Sequence, residues 1–247
     1  MIIEIIGPSG SGKTTISAKI VQRLTQASID VFALHPHFFP FGKKLLRKPC
    51  FQRLQNPVLD FIAFKTLCGS YGKHREFFYF AKAILKSQAD SPFTAMNLLR
   101  SVHRKVGLHE YFQRKKFEDR LVLVDEGMAH GVHNLFVHFK RPHNSSELTH
   151  FASLFSLPDL ILYIKSPLEL LVERSLKRQD LSRRAKGKNV TLFLERADKV
   201  FEEFVSLEHV RSRTLILENA NPDERSTEAI ADKAVAHIMK QWKRKYA

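Results

Sequence analysis

Cysteine is nearly absent from this chain of 247 residues, which has only Cys50 and Cys68. No second Cys or His stands beside either at metal-ligand spacing, so neither a disulfide framework nor a structural zinc site is expected. A chain of this size buries enough apolar surface to fold without a covalent staple. Two reduced thiols in an intracellular setting are the expectation. Long apolar runs are also missing. Nothing approaches the ~20 consecutive residues of a bilayer span. The opening run Ile2-Ile3-Glu4-Ile5-Ile6 has a charge at its centre and no basic stretch before it, unlike a secretory leader. A soluble, cytoplasmic protein is expected, with contact at a membrane surface left open. Acidic residues are scarce: 25 Asp+Glu stand against 40 Lys+Arg, a formal charge of +15. Such a surface attracts polyanions in general and does not choose among them. No internal repeat, low-complexity tract or nucleic-acid motif is visible, and the cations are not interleaved with aromatics as a stacking platform.

What is present is a set of short apolar strands alternating with amphipathic stretches. Ile2–Ile6, Asp30–Leu34, Leu121–Val124, Leu160–Ile164 and Thr214–Leu217 read as strands. Between and after them, Lys13–Gln26, Gly131–Phe139, Pro167–Gln179, Val190–Leu207 and Pro222–Trp242 read as helices. That alternation predicts an α/β fold with a parallel sheet covered on both faces. The 247 residues form one domain on this reading, interrupted by a long stretch at 35–119. This insertion reads as helical in three pieces, opening at Asn56-Pro57, covering Lys73–Ala89, and opening again at Ser91-Pro92. It holds 16 Lys/Arg against 6 Asp/Glu, and 12 of the 20 phenylalanines. The basic and aromatic excess is therefore local.

The most specific motif is Gly7-Pro8-Ser9-Gly10-Ser11-Gly12-Lys13-Thr14. It matches G-x-x-x-x-G-K-[ST] at every fixed position and lies between a strand and a helix. Glycines let the backbone curl so that successive N–H groups, Thr15 included, face phosphate oxygens, and the helix start adds its positive end. In this motif Lys13 reaches the β- and γ-phosphates and the Thr14 hydroxyl takes Mg²⁺. The loop accordingly predicts a nucleoside triphosphate, with ATP preferred because no Asn-Lys-x-Asp guanine signature occurs.

Two other constellations fit a phosphoryl-transfer site. The third strand ends in Asp125-Glu126, where ligands of α/β sheets bind. There Asp125 could hold Mg²⁺ through its water, and Glu126 could act as base or orient an acceptor. A solvated pair at a strand end is the alternative. Further on, Arg174 and Arg178 share a helix face, and Arg183 and Arg184 follow in a segment, 174–189, that reads as a basic lid. Arginine forks match the oxygens of a migrating phosphoryl group; a solvated basic helix end is the alternative.

Taken together, these residues resemble the nucleoside and nucleotide kinases, in particular the thymidylate kinase-like and deoxynucleoside kinase-like branch. The segments Ser156–Ile164 and Ser166-Pro167 followed by Leu170 are similar to the fourth strand and lid helix there. Glu218-Asn219-Ala220-Asn221 resembles the loop that cups adenine. The resemblance implies a doubly wound five-stranded parallel sheet of order 2-3-1-4-5 and ATP as donor. It also implies Arg174 near the adenine, Arg178 near the phosphates, and Asn219 and Ala220 in the base-binding loop. It spans 1–34, 120–135 and 157–235. The acceptor side departs from it. Glu126 stands where that branch commonly has Arg after an acid, and Leu34-His35-Pro36-His37 replaces the usual acid or Arg.

The acceptor therefore stays open among a nucleoside, a nucleotide and a sugar-like group. Lys43, Lys44, Arg47, Lys48 and Arg53 could pair with its phosphate, His35 and His37 could touch it, and the aromatics could stack on it. Lys82 and Lys86 read as solvated, and His103, His109, His130, His133 and His138 as helix-face residues. Two readings remain as alternatives to a small acceptor: a kinase acting on a glycan or lipid-linked sugar at an anionic membrane, and a nucleotide-dependent module gripping nucleic acid (disfavoured by the missing motif) or an acidic partner; a homodimer stays open under each.

Overall fold

The computed structural model describes residues 1–34, 49–114, 117, 119–140, 142–177, 189–221 and 223–246, with the side chains of 34 and 49–56 left aside. His35, His37, Lys43, Lys44, Arg47, Lys48, Arg178, Arg183 and Arg184 lie outside the described residues, as does the side chain of Arg53. The same holds for the basic segment after Lys177, up to 188.

Five parallel strands form one sheet in the order β2-β3-β1-β4-β5. They are β1 (Ile2–Ile6), β2 (Val31–Leu34), β3 (Leu121–Asp125), β4 (Leu160–Lys165) and β5 (Thr214–Glu218). Each is a short apolar run, as strands buried on both faces require. Alternation along them sorts side chains into two layers. Ile3, Ile5, Leu121, Leu123, Leu160, Leu162 and Ile164 pack with Ile16, Ile20 and Leu24 of α1 (Lys13–Gln26) and with Ile230, Ala234 and Ile238 of α10 (Glu224–Tyr246). The opposite face carries Ile6, Ile161 and Tyr163 under α5 (Gly131–Phe136), α6 (Ser145–Ser153) and α8 (Val190–Ser206). Its flank, Val122 and Val124, lies under α2 (Pro49–Cys68) and α4 (Pro92–Phe112). Both fully buried layers displace water from apolar surface, worth about 1.5–3 kcal/mol per large side chain before entropy is counted. The remaining elements are α3 (Arg75–Gln88) after a 3₁₀ turn at Tyr71–His74, α7 (Leu168–Lys177) and the single turn α9 (Glu208–Arg211).

The sheet order and the helical insertion between β2 and β3 are as expected from sequence. Within the insertion, Ser91 caps α4 by accepting from the Thr94 N–H, with Pro92 at the first position. The other proline start fails. The second helix begins at Pro49 and runs through Pro57. An interior proline costs roughly 3 kcal/mol. The helix persists because the next turns seat Leu59, Ile62 and Ala63 against β3 and α4. Asn144 caps α6 by accepting from the Ser146 and Glu147 N–H groups, a start the periodicity did not reveal.

Phe77, Phe78, Phe112 and Phe117 of the insertion are core, while Phe61, Phe64 and Phe93 are exposed. Lys82 and Lys86 are exposed as expected. The histidines are not on solvated faces: His109, His130, His133 and His138 are buried, and His103 stacks on Phe78 at 4.3 Å. Burial pushes His109 down to about 4, so it is neutral in the core.

At Gly107 the backbones of α2 and α4 meet so closely that an added Cβ would run into the Ala63 carbonyl. Gly107→Ala should lower stability by about 1–3 kcal/mol through overpacking. On helix propensity alone alanine would gain about 1 kcal/mol. A rise in melting temperature would show that the two helices are not held at this separation.

Candidate active site

The turn after β1 curls because three glycines take left-handed or unusual backbone conformations. Gly10 and Gly12 have φ of 86° and 92°. Side chains there would also collide, with the Leu171 carbonyl at 2.9 Å and with Asn219 Nδ2 at 2.5 Å respectively. Two consecutive carbonyls of this turn, those of Gly10 and Ser11, are tied to other elements. Arg174 Nη1 donates to Gly10 O at 3.1 Å. Ser166 Oγ at 3.2 Å and Asn219 Nδ2 at 2.8 Å both donate to Ser11 O. A trans peptide points its N–H opposite to its C=O, so fixing Ser11 O directs the Gly12 N–H the other way, while the Ser11 N–H donates to Pro8 O at 3.3 Å. Helix α1 starts at once with Lys13, and no side chain caps it. Its first N–H groups are thus left for a ligand, at the positive end of a 14-residue helix.

Lys13 is buried and curls over this turn, donating to Gly7 O at 2.8 Å and Pro8 O at 3.0 Å. Thr14 and Thr15 are exposed at the helix start. Asp125 lies next door because Ile5 of β1 pairs with it in register. Glu126 then turns back. Its N–H donates to Ile5 O at 3.3 Å, and its φ is 58°, a left-handed value unusual for a residue with a side chain. That conformation places its carboxylate 3.8 Å from Lys13 Nζ and 3.6 Å from His130 Nε2. Partial desolvation raises the Glu126 pKa, but Lys13 first and then Lys105 outweigh it and hold the group below its ordinary value. The carboxylate is half exposed toward the cleft.

Most of the residues anticipated from sequence therefore come together. Gly7, Ser9, Gly10, Ser11, Gly12, Lys13, Thr14 and Thr15 form the cradle, Asp125 and Glu126 its acidic side, and Arg174 and Asn219 its outer braces. Ala220 follows Asn219, exposed. Arg174 and Asn219 were expected at an adenine; their described contacts are with loop carbonyls. Three residues were not anticipated. Ser166 precedes Pro167 just after β4. Glu4 stands in mid-strand, and Lys105 sits on α4 within the insertion. Glu4 accepts from the Ala129 and His130 N–H groups at 2.9 and 2.7 Å. Lys105 donates to the Glu126 carbonyl. Burial lowers the Lys105 pKa, opposed by Glu126 and Glu4. The one legible signal was the charge inside an otherwise apolar strand. Among the described residues no cluster of His, Cys, Asp and Glu is built for a resident metal.

No protein-family model and no curated protein matches the chain. Two solved structures resemble it over nearly its whole length. Thymidylate kinase from Ehrlichia chaffeensis superposes with a TM-score of 0.50 at 13% identity, covering 97% of this chain and 98% of that one. Deoxyadenosine kinase from M. mycoides, solved with bound dATP, gives 0.46 at 13%, covering 96% and 100%. The fold is that of the P-loop nucleotide kinases. The glycine turn after β1 and the acids after β3 lie side by side at the carboxyl ends of these two paired strands. Among the described residues, no helix is long and apolar enough to cross a membrane.

Two predictions follow from this geometry. Asn219→Ala removes a buried donor from Ser11 O, which should weaken nucleotide binding about tenfold, read by titration with a fluorescent ADP analogue. Undiminished affinity would mean that the loop holds its shape without this brace. Secondly, burial raises the Glu4 pKa from 4.5 to about 7, against the two backbone N–H groups and Lys105, with Asp125 adding to the rise. A raised folded pKa means that folding retains a proton, so stability falls as pH rises from about 4.5 to about 7. Denaturant unfolding without nucleotide or Mg²⁺ should lose on the order of 3 kcal/mol over that interval relative to Glu4→Gln. Parallel pH curves for the two proteins would contradict it.

Proposed function

We propose that the protein is an ATP- and Mg²⁺-dependent phosphotransferase that moves the γ-phosphate to a small acceptor, a nucleoside, nucleotide or sugar-like hydroxyl or phosphate. One observation carries the reading: the phosphate cradle and the Glu126 carboxylate face each other across Lys13, with Lys13 Nζ 3.8 Å from Glu126. A binding loop alone needs no carboxylate there, whereas transfer needs a group to orient or deprotonate the nucleophile beside the phosphate it attacks.

In this reading the N–H groups at the start of α1 receive the β- and γ-phosphates. Their arrival draws the Lys13 ammonium from the Gly7 and Pro8 carbonyls onto the phosphate oxygens. Thr14 would hold Mg²⁺ directly and Asp125 through its water, and the ion would supply neutralisation of phosphate charge. Glu126, kept ionised by the cations around it, orients or deprotonates the acceptor hydroxyl. Arg174 braces the cradle from outside, and Arg178 and Arg183 are assigned to a lid that pairs with the migrating group. The acceptor is met on the insertion side. There a cavity of about 420 Å³ between α2 and α4 is lined by Asp60, Phe61, Phe64, Arg100, His103 and Arg104 among others. Its arginines are paired with Asp60, and its exposed Phe61 and Phe64 suit a planar or sugar-like acceptor.

Labelled ATP, incubated with a panel of nucleosides, nucleotides and phosphorylated sugars, should give an acceptor-dependent product. Steady ATP hydrolysis with no such product across the panel would remove the reading. Lys13→Ala should lower kcat about 10²–10³-fold with the far-UV circular dichroism unchanged. Asp125→Asn should raise the Mg²⁺ concentration needed for half-maximal turnover about tenfold or more. Near-full turnover in either variant would show that the residue does not play its assigned part.

A further inference from the structure

The turn from Glu126 to His130 carries the acid nearest Lys13. Two buried side chains hold it, and neither faces the phosphate cradle. At the far end both Glu4 oxygens are occupied, Oε2 by the Ala129 N–H at 2.9 Å and Oε1 by the His130 N–H at 2.7 Å. At the near end the Lys105 ammonium takes the Glu126 carbonyl. Gly127 lies flat against the Glu4 carboxylate, where an added Cβ would come within 2.8 Å of Glu4 Cδ. Glu4 is 2% exposed and Lys105 8%. Charged groups are kept in a core only when partners offset their lost hydration, and here each lies in the other's field. The peptide they grip is the unfavourable one. Glu126 has φ of 58°, a conformation that persists only where surroundings enforce it. Relaxation to the ordinary region would swing its side chain off Lys13.

We propose that Glu4 and Lys105 are positioning residues: by fixing both ends of the Glu126–His130 turn they hold the Glu126 carboxylate over Lys13. The proposal rests on the phosphotransferase reading for its catalytic consequence, and on geometry alone for the clamp. Because Lys105 belongs to α4, it also ties the acceptor-side insertion to the carboxylate that would orient the acceptor.

Three variants test it. Lys105→Met keeps most of the stem and removes the donor. Glu4→Gln turns one acceptor into a donor facing a backbone N–H. Glu126→Gln removes the positioned group itself. Hydrogen exchange of the peptide covering 122–132 should quicken about tenfold or more in Lys105→Met and Glu4→Gln, with β4, β5 and α10 unchanged. Exchange is read without substrate, so its outcome is independent of whether the protein is a kinase. With Mg·ATP as the probe and water as acceptor, Lys105→Met should lower kcat about tenfold while KM moves less than about threefold. Adding Lys105→Met to Glu126→Gln should then cost little more, since the group it positions is gone. Unchanged exchange across 122–132 would overturn the clamp. Fully multiplicative losses in the double variant would overturn its action through Glu126.

Discussion

Where the carbonyl groups of residues 7–11 go decides what the rest of the site can do. A loop that gathers N–H groups around an anion must turn the alternate carbonyls away, and buried carbonyls need donors. Lys13 serves the Gly7 and Pro8 carbonyls, while the donors to Gly10 O and Ser11 O come from three separate elements: Arg174 from α7, Ser166 from the end of β4 and Asn219 from the end of β5. Remote strands therefore shape the loop. The parallel order β2-β3-β1-β4-β5 is what brings those strand ends alongside one another. Glycine at 10 and 12 is demanded twice, by backbone conformation and by lack of room. The site is built from the sheet upward, with the glycine turn after β1 resting on the ends of β4 and β5.

The acidic side uses a different means. Strand β3 delivers Asp125 by register alone. Glu126 is delivered by an unfavourable peptide, and its neighbours Glu4 and Lys105 sit in the interior. The two faces of the sheet divide the labour. One is an ordinary apolar layer under α1 and α10. The other carries buried histidines and, beneath the Glu126–His130 turn, a carboxylate and an ammonium where hydrocarbon would otherwise pack. Such a substitution is weak support for stability and is better understood as fixing geometry.

How much of this was legible depended on how local the determinants were. The strands were readable because a strand buried on both faces must be a short β-branched run, and their ends fell within a residue of expectation. Helix α1 was readable to the residue because Gly12-Lys13 marks its start. Pro57 misled because a local start signal was overridden by packing of the following turns on α4 and β3. The cap at Asn144 was visible but the helix it opens is too short to show periodicity. The cradle and the β3 acids were named from sequence since each lies on one contiguous motif. The braces were harder. Asn219 was singled out for a different contact, and the contact it makes spans 208 residues. Lys105 looked like one cation among many on a basic helix; only the fold reveals which of them is turned inward. Glu4 was conspicuous as a charge amid isoleucines, yet nothing local says which N–H groups it serves.

The distance along the chain between the cradle and its braces bears on synthesis. The glycine-rich motif is synthesised well before the donors to Ser11 O, which follow 155 and 208 residues later. A nascent chain that has produced only β1 and α1 possesses the motif without its shape. The loop's braced shape is thus acquired only when β5 joins the sheet. Contacts of this span also place the site among the slow, cooperative parts of folding. A truncated or stalled chain would carry the most recognisable segment of the protein in a form unable to act.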